Sequence, residues 1–250
     1  MKKYLFFLIA ILFSSTCFSQ WIVGPRIGAN LYMLSGKWSE NDDSKNKFVL
    51  GPVVGAVGGY EISEIISVNA ELLLIKMGGK TKSTYSEEES RSQTEQEYWI
   101  RERYNCIQLA VPVRANFGDN FNFFANVGPY CTYKFGGKWK DSDGNDGKIK
   151  WGTDSSGGDA STWYLDPKYN GRFDFGFYFG GGAGKKIGPG RLEVDLRFGL
   201  GLIDLNKFEN KDQKQAAKDN GYKPYKSRNI SITFAYLFGL GGDSPTRFYE

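Results

Sequence analysis

Arg172-Phe173-Asp174-Phe175-Gly176-Phe177-Tyr178-Phe179-Gly180 is the stretch that decides the fold. Every odd position is phenylalanine, and every even one is charged, small or hydroxylated. A side-chain period of two belongs to a β-strand whose two faces meet unlike surroundings. The alternation recurs on both sides of this stretch. Leu192, Val194, Leu196, Phe198 and Leu200 stand against Glu193, Asp195, Arg197 and Gly199, and Ile107, Leu109, Val111 and Val113 against Gln108 and Arg114. Carried along the chain, the pattern predicts eight strands, at 21–33, 48–60, 66–76, 104–117, 121–135, 172–184, 191–202 and 229–238. In the second, valines fall on both parities, and Leu50, Val54, Ala56 and Tyr60 are assigned outward.

The N-terminus reads as a secretory leader. Lys2 and Lys3 precede an apolar core from Tyr4 to Phe13, and small and polar residues follow to Ser19. Cys17 and Ser19 suit the −3 and −1 positions, so residues 1–19 are expected to be removed before Gln20, leaving 20–250 as one β domain. A lipoprotein role for Cys17 is disfavoured, because Ser14-Ser15-Thr16 lacks the leucine such a site wants. No later segment is apolar enough for a membrane helix, so a spanning chain has to close into a barrel.

Glycine at 32 of 250 residues and aromatics at 16% fit that geometry, because glycine suits a crowded lumen and aromatics ring the two membrane interfaces. Short turns near Ile62-Ser63-Glu64, Gly118-Asp119-Asn120 and Lys185–Gly190 alternate with long hydrophilic connections. The expected fold is therefore all-β: an eight-stranded antiparallel up-and-down transmembrane β-barrel with short periplasmic turns and long external loops, in a Gram-negative outer membrane. A soluble carrier barrel would reverse the faces. Against it, the polar parity is rich in glycine (Gly176, Gly180, Gly199, Gly201), and the apolar parity is almost free of charge until Lys76, near a strand end. On this reading a charge at Phe177 should be costly, and a lumen change such as Gly176→Ser much cheaper. Pro25, Pro52, Pro112 and Pro129 fall inside expected strands, where bulges would accommodate them.

Candidate functional residues are sparse. Histidine is absent, which removes Ser-His-acid triads and histidine bases; the chain is expected to be no enzyme and to need no cofactor. On the inward parity Arg26, Arg114, Arg172, Arg191 and Arg197 are expected to face Glu71, Asp174, Glu193 and Asp195, a structural salt-bridge plug in the lumen rather than an ion path. Asp141-Ser142-Asp143-Gly144-Asn145-Asp146-Gly147 departs from the calcium-loop pattern and reads better as a hairpin turn, with Trp139 expected opposite Ile149. Phe117 is expected to pair with Phe121, which sets Cys106 opposite Thr132 and Ile107 opposite Cys131, two free thiols on opposite faces. Strand-like alternation at 81–85 and 94–104 predicts a protruding external hairpin with an acidic tip at Glu87-Glu88-Glu89. The last long connection is lysine-rich from Lys207 to Arg228.

Ile107-Gln108-Leu109-Ala110-Val111-Pro112-Val113-Arg114, Ala125-Asn126-Val127-Gly128-Pro129-Tyr130 and Glu71-Leu72-Leu73 resemble recurring strand patterns of the PorT-like outer-membrane β-barrels. The resemblance implies an eight-stranded membrane barrel, some of whose relatives are linked to protein secretion, and it supplies no catalytic residues. Tyr236-x-Phe238 is similar to the aromatic ending read by barrel-assembly machinery, although Thr233 stands where glycine is common and a tail follows to Glu250. The expected partners are outer-membrane lipids and lipopolysaccharide, the barrel-assembly machinery, and an unidentified protein met through the external loops. A net charge of +4, slighter once Lys2 and Lys3 are removed, gives no reason to expect nucleic acid. The expected role is interaction or envelope structure, as an accessory of protein secretion or cell-surface assembly; the alternative is a narrow pore or small-solute binder.

Overall fold

A computed structural model describes residues 21–37, 44–63, 65–86, 95–118, 121–149, 171–206, 208 and 211–240. The leader, the acidic hairpin tip and the C-terminal tail lie outside the described residues. The elements are β1 (Trp21–Lys37), β2 (Lys45–Lys47), β3 (Val49–Glu61), β4 (Ile66–Ser86), β5 (Glu95–Ala110), β6 (Val113–Phe117), β7 (Phe121–Asp141), β8 (Asp146–Lys148), β9 (Phe173–Ile187), β10 (Gly190–Gly201), α1 (Lys211–Asp219) and β11 (Lys223–Gly239). Neighbours pair antiparallel in the order β4-β3-β1-β11-β10-β9-β7-β5, and a β4–β5 ladder closes the ring. β5 and β6 are one stave interrupted at Val111-Pro112, while β2 and β8 are three-residue strands added to β4 and β7. Eight staves thus form a closed up-and-down barrel with no exposed ladder along its wall.

Exposure fixes the sign of the faces. On β9, Phe173, Phe175, Phe177 and Phe179 are 59, 38, 43 and 46% exposed, whereas Asp174 is 0% and Tyr178 6%. The apolar parity therefore forms the outer wall and the polar parity fills the interior. β3 follows the expected assignment: Leu50 and Val54 lie outside, and Val53 and Val57 are buried.

The prolines are accommodated without bulges. The β4 register runs unbroken from Glu71↔Ala110 to Val68↔Val113, and the β7 register from Ala110↔Tyr130 to Val113↔Val127. Pro112 points inward against Gly128, where a Cβ would stand 2.4 Å from the Pro112 Cα. The missing side chain is what lets the ring in. A register shift does occur between Asn105 and Cys106, where Phe135 is the extra residue on β7.

Two registers differ from those expected. Phe117 pairs with Phe123 rather than Phe121, so Cys131 lies opposite Leu109 and Cys106 opposite Lys134. The shift is two residues, which preserves parity, so Cys106 stays buried and Cys131 exposed. Trp139 pairs with Gly147 rather than Ile149; its ring lies where a Gly147 side chain would be, at 2.8 Å, and Gly144 supplies a positive φ of 90° in the turn. The cost of a lumen glycine change also needs correction. A Cβ on Gly176 would meet the Tyr130 ring at 2.6 Å and the Leu200 carbonyl at 2.3 Å, so Gly176→Ser is a clash.

β4 and β5 pair on from Thr81↔Ile100 to Ser86↔Glu95, the protruding hairpin that alternation at 81–85 and 94–104 predicts, whereas β7, at 21 residues, runs to Asp141, beyond its expected end at 135. With β2 and β8 these three strands build a sheet standing on the long-connection side of the barrel. The lysine-rich last connection contains α1, which the sequence reading does not predict. It ends on Gly221 at φ 83°, with Gly221 N donating to Lys218 O and Tyr222 N to Ala217 O, both at 2.9 Å.

Candidate functional site

Burial of the polar parity brings most of the expected lumen charges together. Arg197, on β10, donates two bonds to Glu71 across the barrel at 2.7 and 2.8 Å, and its Nε donates to Asp195 at 2.8 Å. Arg26, on β1, donates to the same Asp195 at 3.0 Å and to Thr233 at 3.1 Å, and lies 3.5 Å from Glu71. Asn126 closes the layer by donating to the other Asp195 oxygen at 3.0 Å.

A second layer lies nearer the short turns. Arg114 makes a bidentate pair with Glu193, both bonds at 2.7 Å, while its Nε donates to Asn116 and its guanidinium stacks 3.5 Å over Phe124. Arg191 reaches the same Glu193 at 2.7 Å. These pairs are out of water: Arg26, Glu71, Arg114, Glu193 and Asp195 are each no more than 2% exposed. Charges so placed must satisfy one another, because neither alone tolerates the low-dielectric interior.

Two expected members stand apart. Asp174 is fully buried on β9 but belongs to a hydroxyl-lined layer beside Tyr130 and Ser227, whose own hydroxyls meet at 3.0 Å. Neither Asp174 oxygen finds a well-aligned hydrogen-bond partner among the described residues. Arg172, half-buried at the strand end, donates to Tyr133 Oη at 3.1 Å. Parity places both on the inward side, but their depth along the staves separates them from the arginine layers. Between the layers, Tyr178 donates to Gln108 at 2.7 Å, and Gln108 donates to Thr132 at 2.7 Å. Alternation marked Gln108 and Tyr178 as inward without showing this relay.

The interior is packed. A cavity of about 10 Å³ beside Arg26, Gln108, Tyr178 and Arg197 approaches the space of one water. Above it, Tyr32, Leu73, Ile75, Met77, Tyr104 and Ile149 form an apolar plug toward the external sheet.

The expected turn at 141–147 is built on one carboxylate. Asp141 accepts from the Asp143 and Asn145 amides at 3.0 and 2.8 Å and from the Asn145 side chain at 3.0 Å. Those bonds, the Asn145 side chain foremost, hold the Asp141 carboxyl below its ordinary range. Its oxygens are committed to the turn, and no group of three or more metal-ligating side chains occurs among the described residues.

Residues 14–207 match the family described as outer membrane protein beta-barrel domain. No curated protein matches the chain. Among solved structures, the barrel is similar to the attachment invasion locus protein Ail of Yersinia pestis, at 9% identity over 87% of this chain and 98% of that one, with a TM-score of 0.36. Neisserial surface protein A aligns at 10% identity over 86% and 95%, with a TM-score of 0.37. OprG of Pseudomonas aeruginosa aligns at 7% identity over 90% and 97%, with a TM-score of 0.42.

Proposed function

Because the chain belongs to the outer membrane protein beta-barrel domain family, we propose that it is a non-conducting, non-enzymatic outer-membrane anchor whose working part is the external sheet. The two guanidinium–carboxylate layers carry this reading. They cross the lumen from β10 to β4 and from β6 to β10, and the apolar plug caps them. A pore would need a continuous wet path past Arg26, Glu71 and Arg114, and all three are sealed from solvent. The narrow-pore alternative therefore has little to stand on.

The anchor reading gives the long β4–β5 ladder a purpose, since its register continues past Lys76↔Asn105 to Ser86↔Glu95 and carries a sheet outward from the apolar band. A sheet so held can take a protein partner by strand addition. The resemblance of its strands to PorT-like barrels supports an accessory part in protein secretion or cell-surface assembly. Export is through a leader at residues 1–19, and Tyr236 and Phe238, ring centroids 4.7 Å apart on β11, are the ending offered to the assembly machinery.

Reconstitution in planar bilayers tests the lumen. The expected record is flat at molar salt and ±100 mV. Stepwise currents, shifted in ion selectivity by Glu71→Gln, would replace the anchor with a channel.

A further inference from the structure

The outward face of the external sheet is strongly basic where it leaves the apolar band. On β4 the outward parity runs through Leu72 and Leu74, and Lys76 is its first charge. Above Lys76, cations stand directly opposite one another on neighbouring strands. One rung reads Lys47, Lys80, Arg101, Lys140 across β2, β4, β5 and β7, with Asp146 at its end. The rung below pairs Arg103 with Lys138 and Lys138 with Lys148, and the rung above pairs Lys45 with Lys82.

Like charges directly opposite on a sheet repel and destabilise it, yet this face repeats the arrangement six times. Cover by its neighbours, then Arg101 and Lys47, hold the Lys80 ammonium below the ordinary lysine range. Trp99, opposite Lys82, lies under Lys80 at 4.2 Å and near Arg101 at 5.6 Å, a flat aromatic among the cations. The covered Nε of Arg101 donates to nothing among the described residues.

We propose that this face is a docking surface for the phosphorylated sugar headgroups of outer-leaflet glycolipid. Position selects that occupant over a soluble polyanion. The cationic rungs continue the lipid-facing wall rather than a loop tip. At roughly 3.4 Å per residue and a tilt near 40°, Lys80 stands about 10 Å above Lys76. That spans the headgroup layer, where phosphates offset the repulsion between rungs and Trp99 takes an interfacial seat. The proposal rests on the outward orientation of the sheet in the anchor reading.

The test uses the full chain, folded in glycolipid-free detergent and titrated with lipopolysaccharide, with the same glycolipid after enzymatic removal of its phosphates, and with a soluble sulfated oligosaccharide. Wild type should bind the phosphorylated glycolipid best. K80S/R101S/K140S should weaken that binding by roughly 100-fold at low salt, and by less at high salt. K211S/K214S/K218S, which removes equal charge from α1, should leave it unchanged. Free of glycolipid, the rung variant should unfold no earlier than wild type, because three mutually repelling charges are gone. Equal binding of the dephosphorylated glycolipid, equal loss in the α1 variant, or preference for the oligosaccharide would each overturn the proposal. The wild-type comparison decides even if the rung variant misfolds. A barrel silent in bilayers but indifferent to glycolipid phosphate would sink this inference and leave the anchor standing.

Discussion

Arg197 illustrates what a single buried side chain does here. Its three guanidinium nitrogens are spread over Glu71 and Asp195, and its guanidinium sits 6.0 Å from the Tyr178 ring. Removing one partner from such a cluster strands the others' charge in a medium that does not solvate it. Arg197→Met should therefore lower barrel stability by about 3–5 kcal/mol, read as an earlier urea midpoint in lipid vesicles. Arg26, at 3.5 Å from Glu71, is too poorly aligned to compensate. Combining Arg197→Met with Glu71→Met should recover part of the loss. A double variant worse than the sum of its singles would mean the pair is not the unit of stability. Parity alone placed Arg197 and Glu71 inside. That they meet across the lumen, 126 residues apart, depends on barrel diameter and stagger, which a period of two does not encode.

Among the elements, β9 was the most legible and α1 the least. The phenylalanine ladder announces a lipid-facing wall, and Phe177→Arg should cost roughly 2–4 kcal/mol at mid-depth, measured by the same urea titration. Gly176→Ser, one residue away, should also destabilise the barrel, because Tyr130 and the Leu200 carbonyl occupy the space its Cβ needs. An unperturbed Gly176→Ser together with an unperturbed Phe177→Arg would deny the orientation of β9 altogether. Legibility weakens where lipid ends. Between Lys76 and Thr81 the two glycines Gly78 and Gly79 interrupt the alternation, so β4 reads as a membrane strand and a separate external arm rather than as the one 21-residue strand it is. α1 escapes for a related reason: it buries no residue, so it carries no apolar stripe to find. The two-residue register errors arise in turns, since parity constrains a register only modulo two.

At the scale of the molecule, the barrel is a ring whose first and last staves are joined like any others. β1 and β11 pair from Ile22↔Gly239 to Lys37↔Lys223, and Leu240 N donates to Trp21 O at 2.7 Å. The antiparallel ladder of this joint is of the same kind as those between strands consecutive in the chain. For the finished fold the beginning of the polypeptide is arbitrary. A circular permutant that bridges residues 240 and 21 with a short linker and opens at the Gly188-Pro189 turn should rebuild the same barrel, with wild-type spectra and an unfolding midpoint little changed. Failure of the permutant to fold in detergent would show that the order of strand arrival matters as well as the ring. For the nascent chain the joint has the opposite meaning. Its partners are the most distant in sequence, so the cylinder stays an open sheet with two raw edges until β11 arrives. The molecule is sealed at its final stitch.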